Sequence, residues 1–311
     1  MGRRSLRHKG NAISADLIAV LVAVSHDLPQ VMTVEDGEAL PSGPFELDHR
    51  SLQAGLRGWV ERQTGQPVGY LEQLYTFADR DRTEHPQYRT ISISYLGLMR
   101  ELPLPVAGQA GWRSWYDYFP WEDHRSGRPA VLDRVIAPLV RRWANTGMPR
   151  AERRQRVNVA FGLDEFPWNE ELVLQRYELL YEAELVPEAV RGRPGAAPAP
   201  VPGRAMIADH RRILATGAAR LRAKIKYRPV VFELMPASFT LLQLQRCVEA
   251  VAGRVLHKQN FRRLIEQQEL VEETGETATD TGGRPAKLFR FRHAVLAERA
   301  AAGTKLPLAK A

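Results

Sequence analysis

The sequence predicts a two-module protein of class α/β + α: an N-terminal α/β/α sandwich followed by a C-terminal winged helix-turn-helix. Three observations carry this. Between residues 17 and 99 the apolar periods change in the order strand, strand, helix, strand, strand. Residues 187–204 (PEAVRGRPGAAPAPVPGR) are rich in Pro, Gly and Ala and read as a semi-rigid spacer. Residues 238–292 read as helix, glycine turn, basic helix, strand, polar loop, strand. The division that follows is a basic arm over 1–15, the sandwich over 16–186, the spacer over 187–205, the winged helix over 206–295 and a tail over 296–311.

Each element has its own signal. Residues 17–24 (LIAVLVAV) are a continuous apolar, β-branched run, expected as a buried strand. Residues 31–40 read as a second strand that turns at Asp36-Gly37. In 51–63 the apolar positions 52, 56, 59 and 60 are spaced for a helix, with Ser51 as N-cap and Gly65 as stop. Residues 70–77 and 90–99 read as strands. The segment 111–124 (GWRSWYDYFPWEDH) is dense in aromatics and is expected to pack as an insertion rather than to form a stacking cage. Amphipathic helices are expected over 131–146 and 169–186, the latter acidic at its start as the helix dipole favours. A further helix is expected over 206–227.

The totals are those of an ordinary globular chain: 311 residues, 44% hydrophobic and 26% charged, enough for about two domains. The single cysteine, Cys247, excludes an intrachain disulfide and a cysteine-cluster zinc site, and its apolar neighbours predict a buried thiol. No apolar run is long enough for a membrane span. No signal-peptide cleavage site is evident, so a cytoplasmic location is expected. The net charge of +8 permits a polyanionic partner. It is unevenly spread, because 164–184 is acidic. His124, His210 and His257 are isolated, and no metal site is expected.

The winged helix supplies the most specific functional expectation. Thr240 and Gln243 have the spacing of a capping box, and Gly253 permits a turn. The next helix, from His257 to about Gln268, would bury Phe261, Leu264 and Ile265. It would expose Lys258, Gln259, Arg262 and Arg263 in pairs four apart. Arginine and lysine neutralise phosphates, and the amides of Gln259 and Asn260 can read base edges. The expected DNA-contact set is Thr240, His257, Lys258, Gln259, Asn260, Arg262 and Arg263, with Arg284 and Lys287 from the wing. A basic arm (Arg3, Arg4, Arg7, Lys9) could also reach phosphate. A winged helix used only for protein contacts is the competing reading.

Residues 40–65 resemble a Nudix box: a Pro-x-Gly loop, then a helix closed by Thr64-Gly65. In that family, acids on the helix hold Mg²⁺ at a diphosphate. Here the corresponding positions hold Trp59, Arg62 and Gln63. A shift of one register rescues only Glu61, and the earlier acidic position falls near Arg50, after Glu46 and Asp48. The resemblance therefore implies a ligand-binding module without catalytic residues. With EQLYTFADRDR (72–82), the helix of 171–186, the block 209–263 and GGRPAKLFRF (282–291), the chain resembles the Nudix-related, NrtR-like regulators of bacterial NAD metabolism, closest to their alphaproteobacterial NadQ-type branch. That resemblance implies a dimeric repressor of NAD biosynthesis or salvage genes on a palindromic operator. It implies no required cofactor and an adenine-nucleotide effector such as ADP-ribose, NAD or ATP. Arg50, Arg57, Glu61 and Arg62 are the candidate effector contacts. A residual pyrophosphohydrolase acting on ADP-ribose-like substrates is the enzymatic alternative.

Overall fold

The computed structural model describes residues 13–79, 89–100, 110–146, 148–195, 199–278, 285–292 and 294. The basic arm's Arg3, Arg4, Arg7 and Lys9, the wing's Arg284 and the tail lie outside these.

A mixed sheet forms the N-terminal half. Its strands are β1 (Ile13–Ser25), β2 (Leu28–Thr33), β3 (Ser42–Pro44), β4 (Tyr70–Phe77), β5 (Arg89–Leu98) and β6 (Gly111–Ser114). The order is β4-β5-β1-β2-β6, with β3 also on β1. The central β1–β5 pair is parallel, with Leu17 opposite Ile93; every other pair is antiparallel. Successive side chains of a strand point to opposite faces. Leu17, Ala19 and Leu21 therefore face one core with Met32 and Tyr95, while Ile18, Val20 and Val22 face another with Val31, Leu96 and Leu98. A strand buried on both sides needs an unbroken apolar run, and 17–24 supplies it.

The first face is covered by α1 (Leu52–Thr64), which buries Leu56 and Val60. Ser51 caps it by accepting from the Ala54 N–H at 3.1 Å, and Gly65 closes it with φ of 65°. On the second face α2 (Trp115–Tyr118) and α7 (His210–Tyr227) meet the strands, while α3 (Ala137–Thr146), α4 (Arg150–Phe161), α5 (Val173–Glu182) and α6 (Pro187–Val190) form an outer layer in which α5 packs on α7, α4 on α5 and α3 on α4. A π-turn over Leu132–Ile136 leads into α3. Helix α7 lies on β1 so closely that a Cβ on Gly217 would sit 2.8 Å from Val20 Cγ1. The winged helix follows, with α8 (Leu241–Ala252), α9 (Lys258–Gln267) and the hairpin of β7 (Val271–Ala278) and β8 (Ala286–Phe291). Phe239 and Phe289 exchange backbone hydrogen bonds of 2.9 and 2.8 Å, adding a short third strand to that hairpin.

Four differences from the sequence reading have physical causes. Helix α5 starts at Val173, not 169, because Glu170 and Glu171 are drawn off as partners for Lys226 at 2.9 and 2.7 Å. The 150–161 stretch, crowded with arginine, is nonetheless helical, because Val157, Ala160 and Phe161 are buried. The Pro/Gly/Ala-rich stretch holds the short helix α6 and is tied down: Val201 and Met206 are buried, and Glu188 pairs with Arg211. Helix α7, grouped by sequence with the winged helix, packs on the sheet, so the second core runs without a break from Val20 to Phe261 and Ile265.

The aromatic segment is packed. Trp115, Tyr118, Phe119 and Trp121 are all at most 1% exposed. Cys247 is buried, and burial pushes its thiol up to about 12. No helix of the described residues is long and apolar enough to cross a membrane.

Candidate nucleic-acid interface and ligand helix

Helix α9 is positioned from beneath. Phe261 and Ile265 anchor it in the core, and Gly253 makes the turn that brings it off α8. Gly253 has φ of 71°, and a Cβ there would collide with the Glu122 carbonyl. Its own carbonyl accepts from the His124 N–H at 2.7 Å. The turn is thus moulded on the aromatic segment.

Beneath that turn lies a fully buried ionic node. Glu122 receives Arg176 at 2.5 and 2.8 Å and Arg222 at 2.5 Å. Arg176 also donates to the carbonyls of Ala160 and Asn169, both at 2.9 Å, and Arg222 donates to those of Val251 and Glu170 at 2.9 and 3.1 Å. Burial alone would push the Glu122 carboxyl up; the two guanidiniums outweigh it and hold it below the usual carboxylate range. The node joins α4, α5, α7 and α8 at one point. A buried charge without such partners would cost several kcal/mol.

Above this frame the polar face of α9 is open. His257, Lys258, Gln259, Asn260, Arg262 and Arg263 are all exposed. Among the described residues, Lys258, Arg262 and Arg263 have no carboxylate partner. His257 is the N-cap of α9 but makes no side-chain cap bond. Two expectations are corrected. Leu264 is 51% exposed, because Phe261 and Ile265 alone fill the contact. Thr240 is 4% exposed, and its hydroxyl accepts from the Gln243 N–H at 3.2 Å while Gln243 Oε1 accepts from the Thr240 N–H at 2.7 Å, so it caps α8 instead of facing outward. In the wing, Lys287 is exposed and bridges to Glu273 at 2.8 Å across the hairpin. So exposed a pair contributes little to stability, and its ammonium can change partner.

Helix α1 is different. Gln63 makes a two-way amide bond with Ser42, accepting at 3.0 Å and donating at 2.8 Å. One turn earlier, the Trp59 indole donates to the Pro44 carbonyl at 2.9 Å. Both fasten β3 to the helix. Arg62 lies over the Trp59 ring at 4.2 Å, and Arg57 donates to the carbonyls of Val68 and Gly69. Arg50 and Glu61 are exposed. The four candidate effector residues are therefore not gathered around one point. A cavity of about 570 Å³ at the other end of the sheet is lined by Thr33, Glu35, Asp36, Gly37, Ala110, Gly111 and Arg113, none of which the sequence marked as a ligand contact. Arg113 pairs there with Asp36 at 2.5 Å. Glu46, Asp48 and His49 bring potential ligand atoms within 4.8 Å of one another just before α1, a grouping that sequence spacing did not suggest.

Comparison with known proteins bears on both modules. Residues 231–291 match the family model of the NrtR DNA-binding winged helix domain. An ADPR responsive transcriptional repressor, NtrR, of Acinetobacter baylyi is 41% identical over 83 residues, a match spanning 27% of this chain and 33% of that protein. Shewanella oneidensis NrtR, solved with a 27mer DNA, superposes with a TM-score of 0.55 at 18% identity, covering 91% of this chain and 95% of that one. A MutT/nudix family protein from Enterococcus faecalis superposes equally well, with a TM-score of 0.55 at 17% identity, covering 93% and 90%. The chain therefore carries an NrtR-type winged helix on a Nudix-like α/β/α sandwich, the two-module fold of the NrtR structures.

Proposed function

We propose that this protein is a ligand-responsive transcriptional repressor that binds duplex DNA through α9 and senses an adenine nucleotide through the sandwich. The observation that carries the reading is the open face of α9: three cations and two amides, exposed, on a helix whose opposite side is locked into the core. Such a face suits a major groove, with Lys258, Arg262 and Arg263 on phosphate or guanine and Gln259 and Asn260 on base edges. His257, Arg284 and Lys287 extend the contact. A homodimer would set two such helices about 34–36 Å apart on a palindromic operator. The similar Acinetobacter repressor is named for its response to ADP-ribose, which makes ADP-ribose the first effector to test, ahead of NAD and ATP. The genes controlled would be those of NAD biosynthesis or salvage.

The sandwich would bind without cutting and would need no cofactor. Trp59, Arg62 and Gln63 stand where metal-binding acids would be needed, and each is engaged in holding β3 or its neighbour. Effector contact by Arg50, Arg57, Glu61 and Arg62 would require Arg57 and Arg62 to leave their present partners. Differential affinity of the nucleotide for the free and DNA-bound states would provide the switch.

The test is a titration of the protein's own upstream DNA in a mobility-shift assay, with and without ADP-ribose. Salt-sensitive, sequence-selective binding that ADP-ribose changes supports the reading. No selective binding at any salt concentration sinks it. Mg²⁺-dependent hydrolysis of ADP-ribose that is lost in Glu61→Gln would overturn the binding-only part.

A further inference from the structure

The chain's positive charge is concentrated away from the recognition helix. Residues 128–156 contain eight arginines, no lysine and only two acids, Asp133 and Glu152, a net +6 against +8 for the whole chain. They build the π-turn that leads into α3 and the helical hairpin α3–α4, which buries Val140 and Ala144 on one helix and Val157 and Ala160 on the other. Three of the arginines are answered in place: Arg128 by Asp133 at 2.9 Å, Arg141 by Asp164 at 2.7 Å and Arg156 by Glu182 at 2.7 Å. Arg153 lies on the Trp143 ring at 4.4 Å. Arg134, Arg142, Arg150 and Arg154 are exposed and have no carboxylate partner among the described residues.

Solubility alone does not account for this arrangement. Arg150, Arg153 and Arg154 crowd the start of α4, where the helix dipole disfavours cations. One acid, Glu152, stands among the three in that turn, so the start of the helix keeps a net positive charge. Guanidinium groups, unlike ammonium groups, present a planar fork that fits phosphate oxygens. The hairpin is also held rigidly to the winged helix. The Ala160 carbonyl at the end of α4 accepts from Arg176, which grips Glu122, which grips Arg222, which donates to the Val251 carbonyl of α8. A surface fixed in this way keeps one position relative to α9.

We propose that the α3–α4 hairpin is a second phosphate-binding surface that contacts duplex DNA outside the stretch covered by α9. The inference rests on the DNA-binding reading above. Its test uses two duplexes from the protein's own upstream DNA: one trimmed to the region that α9 and the wing protect, and one longer by about fifteen base pairs on each side. The variant replaces Arg134, Arg142, Arg150 and Arg154 with Gln; all four are exposed, and two of them oppose the α4 dipole, so the thermal midpoint should not fall. On the long duplex it should lose about tenfold in affinity, with a salt slope shallower by about three to four units. On the trimmed duplex it should match the unmodified protein. Unchanged affinity and slope on the long duplex overturn the proposal, as do equal losses on both. Lys258→Ala with Arg262→Ala serves as the parallel control. If that variant binds both duplexes normally while the arginine variant is weakened on the long one, the recognition-helix reading fails and the hairpin surface stands. An unmodified protein that binds neither duplex at low salt ends both.

Discussion

Helices α1 and α9 make an instructive pair. Each follows a capped or glycine-assisted start, each buries two main apolar residues, and each shows arginine, glutamine and neighbouring polar groups on its other side. On α1 those groups are used within the protein: Gln63 and Trp59 hold β3, Arg62 covers Trp59, and Arg57 closes the 68–69 turn. On α9 the cations have no carboxylate partner among the described residues. The difference lies in what packs alongside. A strand and a turn lie against α1 and present carbonyls, while among the described residues nothing covers the outer face of α9. Residue type alone marks both helices as ligand surfaces; the neighbours decide which one is free to act as one.

The comparison can be broken first at the frame that presents α9. Glu122→Gln leaves Arg176 and Arg222 buried without a counter-charge, and should lower stability by about 3–5 kcal/mol in urea unfolding. A loss below about 1 kcal/mol would mean that water or rearrangement relieves the node, and that α9 is not rigidly based on it.

Next comes the open face itself. Lys258→Ala with Arg262→Ala should weaken DNA binding by roughly ten- to a hundredfold and shallow the salt slope by about two units, with no change in thermal midpoint. If the midpoint falls instead, these side chains are structural and the contrast with α1 disappears.

The smallest effect is expected on α1. Gln63→Glu places an acid at the position but cannot donate to the Ser42 carbonyl, so it should cost about 1 kcal/mol and gain no Mg²⁺-dependent hydrolysis of ADP-ribose. A stabilised variant, or one that turns over substrate, would show that the helix is still organised as a metal site.

Much of this was readable in advance where it depends on local pattern. The capping box at Thr240, the stop at Gly65, the strand of 17–24 and the exposed spacing of Lys258 and Arg262 all follow from periods of two or 3.6 residues and from backbone conformation. Where the sequence reading went astray, long-range competition was the cause. Glu170 looked like a helix-start acid until Lys226, 56 positions away in the chain, claimed it. Leu264 looked like core until two other residues proved enough to seat the helix. The residue types on α1 could be read off, but the clamp that Trp59 and Gln63 make could not be foreseen, because Ser42 and Pro44 meet the helix only after the sheet has formed.

The sequence by itself therefore determined β1, β2, α1, β4 and β5 and their order, the burial of β1 and the chemical character of α9, since each depends on residues within a few positions of one another. Only the tertiary structure decided that α7 belongs to the sheet, that the aromatic segment carries the turn into α9, and that Glu122 binds two arginines 54 and 100 positions away. Those outcomes depend on which buried charges and carbonyls come within about 3 Å of one another, and that distance is set by packing rather than by spacing along the chain.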